Sequence, residues 1–143
     1  MRWIPVAVVA VLSCGCAAIK AIEQKEPPPL PFVGTRWQVL LELPQPGEQP
    51  WVRFGDGRME GFGGCSRFGA PIIQDAVGAK AIAVTRIERL QQQVCEARIV
   101  AAERRMIDVL QSVSSYSITV DAMTMSGSAG SLKFRAVSEE ARR

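Results

Sequence analysis

Only one stretch of this chain repeats its apolar residues at helical spacing. From Glu96 to Val113, at about 100° per residue, Ile99, Ala102, Met106, Val109, Leu110 and Val113 fall on one stripe, with Arg104, Asp108 and Gln111 opposite. No strong cap residue marks the start, so a beginning near Glu88 stays open. Cys95 projects onto the same stripe, which predicts a sulfur facing inward. Most of the remaining chain reads as short strands. Thr35 to Leu43 places Trp37, Val39, Leu41 and Leu43 on one face. Trp51–Phe54 and Arg58–Gly61 flank Gly55-Asp56-Gly57, a strong hairpin signal. Gly69–Gln74, Ala81–Ile87, Tyr116–Val120, Met123–Met125 and Leu132–Val137 are further strands, with Gly127-Ser128-Ala129-Gly130 as the last turn. Strands, one helix, then strands predict an α+β domain: a bent, barrel-like, mostly antiparallel sheet packed on a single α-helix.

The first sixteen residues belong to a different kind of segment. Arg2 precedes a short apolar run from Trp3 to Leu12, and small residues and cysteines follow, the layout of a secretory signal. The run falls short of the ~20 apolar residues a membrane span requires. Val11-Leu12-Ser13 before Cys14 resembles the bacterial lipobox, in which the cysteine is acylated and becomes the first mature residue. Cys14 is the favoured site and Cys16, preceded by Gly15, the alternative; an ordinary cleaved signal without lipid is the third reading. No aspartate follows either cysteine, which by the general sorting rule directs a lipoprotein to the outer membrane, facing the periplasm. The expected organisation is a signal over 1–13, a lipid-bearing proline-rich tether over 14–31, one domain over 32–137 and a tail over 138–143.

Composition narrows the chemistry. The chain contains no histidine, which removes Ser-His-Asp and Cys-His catalysis in their usual forms and histidine-containing zinc sites. The formal charge of +3 is scattered, without the dense basic patch of a nucleic-acid footprint. The expectation is a monomer that is not an enzyme, holds no metal or cofactor, binds no nucleic acid and meets the membrane through its N-terminal lipid.

Cys65 and Cys95 are the domain's two cysteines. Outside the cytoplasm a disulfide is the favoured reading; two buried thiols and a reactive thiol are the alternatives. Glu60 to Phe68 partly mimics an RNA-binding pattern and a phosphate loop, but Glu60 stands where a basic residue belongs and no Gly-Lys-Ser/Thr follows. Its glycines read as a sharp turn that lets Cys65 approach the helix. Glu103 lies on the edge of the apolar stripe. It is either an acid of raised pKa or a carboxylate satisfied by arginine or backbone donors. Met106, Met123 and Met125 read as core.

Gly34-Thr35-Arg36-Trp37, Phe54 through Gly61, Gly64-Cys65-Ser66-Arg67-Phe68, Cys95, Glu103 through Leu110 and Leu132-Lys133-Phe134 together resemble the META domain, also called HslJ-like. The resemblance covers Val33 to Val137. Ser66 replaces the family's usual asparagine, and Leu90-Gln91-Gln92-Gln93-Val94 departs from its usual Thr and Met-Ala before the second cysteine. The resemblance implies a compact sheet-and-helix unit in envelope or secreted proteins, with links to heat or envelope stress, motility or virulence. It implies no catalytic residues. Trp37, Gly61, Gly64, Cys65, Phe68, Cys95, Glu103 and Phe134 would then be structural pattern residues. Three functions are expected in order: a lipid-anchored envelope module in stress tolerance or binding, a small-ligand binder with a cleft between sheet and helix, and a protein-interaction or inhibitor module presenting the Leu43–Trp51 loop with Trp51 as an exposed anchor.

Overall fold

A computed structural model describes residues 25–74, 80–91 and 93–138. The strands are β1 (Arg36–Val39), β2 (Trp51–Phe54), β3 (Arg58–Phe62), β4 (Arg67–Gln74), β5 (Ile82–Val84) and β6 (Glu88–Gln91), followed by helix α1 (Ala97–Ser112) and then β7 (Val113–Thr119), β8 (Ala122–Gly127) and β9 (Gly130–Val137). The sheet runs β5-β4-β3-β2-β1-β9-β8-β7, with β6 paired to β4 off this path. All strand pairs are antiparallel. The ends of that row meet: Ala81 bridges Ser115, and the Tyr116 amide donates to the Lys80 carbonyl at 2.9 Å. The result is a nearly closed barrel with one described helix packed on it, the expected α+β class.

Its interior is filled. Trp37, Phe54, Phe68, Phe134, Met59, Leu110, Met123, Met125 and Val52 are fully buried. Each large side chain taken from water contributes roughly 1.5–3 kcal/mol. Gly61 is required by this packing, since a methyl group there would lie 2.7 Å from the Phe68 ring across the β3–β4 pair. Helix α1 turns Met106, Val109 and Leu110 inward, as its stripe implies, and also Glu103.

The two ends of the barrel are closed differently. At one end Phe32 stacks on Phe54 and on Tyr116, with ring centroids 4.1 and 4.3 Å apart. The Leu30 amide donates to the Val120 carbonyl beside it, so the proline-rich stretch touches the rim with its last residues. At the other end α1 packs against β5, β8 and β9, and its last residue Ser112 accepts the Ala129 amide of the β8–β9 turn.

Several strand boundaries differ from expectation: β4, β7, β8 and β9 start one to three residues earlier than expected, and three differences shape the helix end. β1 stops at Val39 rather than Leu43, because beyond the Val39 amide's bond to the Pro50 carbonyl the chain parts from β2. Leu41 is then half-buried and Leu43 is 79% exposed. The Ala81–Ile87 strand contracts to Ile82–Val84. Glu88–Gln91 is neither loop nor helix start; it is an exposed strand held by β4 across a bulge at Arg67/Phe68. Its four residues are all exposed, so no apolar alternation announces it. Cys95 precedes the helix, as a start near Glu96 implies, and is half-buried.

Candidate functional site

Everything chemically distinctive gathers at the helix end. The first feature is the attachment of α1 to the bend between β3 and β4. Gly63 donates to the Ser66 carbonyl at 3.0 Å, and Gly64 adopts φ +109°, a left-handed value that favours glycine. This turn aims two amides at the helix. Oε2 of Glu103 accepts from the Cys65 amide at 2.9 Å and the Ser66 amide at 2.6 Å, while Oε1 lies 3.7 Å from Nε of Arg89. A side chain at Gly63 would collide with Glu103. Cys65 is also joined to Cys95 by a disulfide closing 30 residues of chain. One bend is thus held to the helical segment twice, by a covalent bond and by a buried carboxylate. Glu103 is a buried carboxylate satisfied by backbone donors with an arginine beside it, the second of the two readings its place on the stripe allowed.

The second feature is a polar cluster on Trp51. The Arg36 guanidinium sits 4.0 Å from the ring centroid and that of Arg67 5.8 Å. Glu48 Oε1 accepts from Trp51 Nε1 at 2.7 Å and from Arg36 Nη2 at 2.8 Å, and Oε2 lies 3.9 Å from Arg67. Burial pushes the Glu48 carboxyl upward, but the Trp51 N–H and the two guanidiniums outweigh it, so its pKa lies below the ordinary value. The expected exposed anchor at Trp51 is therefore wrong. The ring is 5% exposed, because β2 pairs it between Gln38 and Phe62 and Arg36 covers its face. A polar recess of about 310 Å³ adjoins the cluster, lined by Glu48, Phe62, Cys65, Arg67, Gln91 and Gln93.

The third feature is an open groove of about 400 Å³ where α1 faces the segment that leaves β1. Leu40, Leu41, Leu43, Ile99, Met106 and Leu132 form its walls. Arg98, Arg105, Glu42, Gln45 and Ser131 supply its polar lining.

Of the residues singled out in the sequence, Trp37, Phe68 and Phe134 lie in the core, and Gly64, Cys65, Cys95 and Glu103 meet at the helix attachment. Cys14 and Cys16 lie outside the described residues. No group of three potential metal ligands occurs among the described residues, and none of their helices is long and apolar enough to cross a membrane. Sequence reasoning missed Glu48, Arg36 and Arg67, which are brought together from β1, β4 and a loop. The one local signal was an acid three residues before a tryptophan.

An antiparallel barrel closed by one helix, which a disulfide and a buried glutamate fasten to a glycine bend, defines a small structural class. The chain belongs to the META domain family, whose model matches residues 32–139. Among solved structures, one described as the NMR structure of a protein from Burkholderia xenovorans is similar at TM-score 0.61 and 12% identity, over 97% of this chain and 100% of that one. A DUF4847 family protein from Bacteroides vulgatus is similar at TM-score 0.52 and 10% identity, over 73% of this chain and 93% of that one. Likeness at this identity establishes the fold alone. No curated protein matches the chain.

Proposed function

We propose that this META domain protein is a non-enzymatic, lipid-anchored module of the bacterial cell envelope that acts by binding, in envelope or heat stress tolerance. The observation that carries the binding role is the pairing of a filled barrel with a preformed apolar groove outside it. A cleft of this size, largely apolar with a few polar groups in its lining, has the make-up of a small-molecule site. Export is supported by the lipobox-like run before Cys14 and by the Cys65–Cys95 bond, since disulfides persist in oxidising compartments. The outer membrane facing the periplasm is the proposed address, with the acyl chains on Cys14 as anchor. The protein-interaction reading loses its anchor with the burial of Trp51.

Intact-mass measurement of membrane-extracted protein tests this. The expected species lacks residues 1–13, carries acyl groups on Cys14, and gains two hydrogens on reduction. An unprocessed cytosolic chain with all four thiols titratable would end the proposal.

A further inference from the structure

Resting on that reading of the chain as a binding module, we propose that the α1 groove takes the acyl tail of a single-chain carboxylate amphiphile, a free fatty acid. Three observations select this occupant. The first is the wall chemistry. Leu40, Leu41, Leu43, Ile99, Met106 and Leu132 make much of the lining, and Gln45 and Ser131 are its uncharged polar side chains. A peptide laid there would bring one N–H and one C=O per residue, more than Gln45 and Ser131 can answer. An acyl tail brings none. Leu40 and Leu43 are left largely exposed and would be covered by such a tail.

The second observation is size. At about 400 Å³ the groove is near the lower end for small-molecule sites, which suits one tail rather than two. It follows α1 from Arg98 to Val109, about 16 Å at 1.5 Å per residue.

The third is charge. Two arginines and one glutamate are its charged lining residues. Nε of Arg98 is held by Glu96 at 3.0 Å, whereas Arg105 makes no ion pair among the described residues. A guanidinium beside an apolar trough is matched by a carboxylate on an apolar tail, because its fork can donate two hydrogen bonds to the two carboxylate oxygens.

The test uses the full chain carrying Cys14→Ala and Cys16→Ala, so that no acyl group of its own competes. The ¹⁵N-labelled protein is titrated with laurate below its micellar concentration. Saturable shifts confined to the amides around Leu40–Leu43, Ile99–Val109 and Leu132 are expected. Dodecyltrimethylammonium, with the same tail and opposite charge, should bind at least about tenfold more weakly. Arg105→Gln should weaken laurate about tenfold and leave dodecanol unchanged. Ala102→Phe should abolish binding of both by filling the trough, and Leu43→Ser serves as a second variant on the exposed side. The proposal is overturned by the absence of saturable shifts, by equal binding of the cationic amphiphile, or by shifts at the Glu48–Gln93 recess instead. A concentration-dependent dimer that shifts the groove amides without ligand also overturns it. Failure here leaves the acylation result standing, and an unacylated cytosolic chain leaves the titration standing, so the two readings fail separately.

Discussion

The two ends of this barrel solve the same problem by different means. At the Phe32 end an aromatic residue from the incoming chain stacks on Phe54 and Tyr116 and seals the opening with side-chain surface. At the α1 end a helix crosses the opening, and its fit depends on two attachments to one glycine bend. The stacked plug fills the opening with Phe32, Phe54 and Tyr116. A helix laid over splayed strand ends leaves a recess on either side of the departing 40–50 segment, one polar and one apolar. Both of these recesses thus lie at the end closed by the helix.

Removing the carboxylate should break this comparison most severely. Glu103→Leu strands two backbone amides and leaves Arg89 without its buried partner. A loss of about 4 kcal/mol in urea unfolding is expected, against about 2 kcal/mol for Glu103→Gln, which keeps one acceptor oxygen. Near-equal losses for the two would show that the neutral acceptor kept by glutamine contributes nothing and that the lost charge carries the whole effect.

The disulfide ranks next. Cys65→Ala with Cys95→Ala should cost ~3–4 kcal/mol from the 30-residue loop it closes. Because it shares the bend with Glu103, the combined variant should depart from additivity by about 1 kcal/mol or more. Hydrogen exchange should rise at residues 63–66 and the start of α1 while the amides around Phe32 and Tyr116 stay protected. Uniform acceleration at both ends would erase the distinction between plug and latch.

How much of this was legible in the sequence follows the range of each interaction. The β2–β3 hairpin is written locally, in Gly55-Asp56-Gly57 between alternating residues, and the helix in its apolar stripe. The same stripe flagged Glu103 as misplaced, and only the fold supplies its partners, 37 and 38 residues away. Barrel closure between Ala81 and Ser115 has no local signature at all. Alternation misled at Leu41 and Leu43, which keep the strand pattern after the strand has ended and line the groove instead. Trp51 was misjudged because its cover comes from Arg36 on a neighbouring strand and from Glu48 in the loop.

That cluster gives a pH test of the helix end. Glu48 has a lowered pKa in the folded state, so its contribution is present above the ordinary carboxylate value of about 4.3 and is lost as pH falls through the lower folded value. Glu48 is 40% exposed and solvent screens it. The expected effect is modest: Glu48→Gln should lower stability slightly at neutral pH, converge with the parent protein as pH falls below the folded value, and so flatten the acid limb below about pH 4.5. An unchanged acid limb would place the acid sensitivity in other carboxylates.

The smallest expected effect is at the plugged end, and its sign is the opposite. Val120 lies in the β7–β8 turn with φ +55°, a left-handed value that costs a β-branched residue of order 1–3 kcal/mol. The turn is not free to relax. The Val120 carbonyl accepts the Leu30 amide, and the neighbouring Asp121 carbonyl accepts the Ala136 amide, both at 2.8 Å. These bonds are all to backbone, so a change of side chain keeps them. Asparagine tolerates the conformation, and Val120→Asn should raise stability by about 0.5–1 kcal/mol, read as a rise of about 4 °C in Tm. Val120→Gly should gain less, because it also frees the unfolded chain. A fall in Tm for Val120→Asn would mean that the half-buried valine side chain outweighs the backbone strain. The Phe32 end would then owe part of its closure to that contact as well as to its three stacked rings.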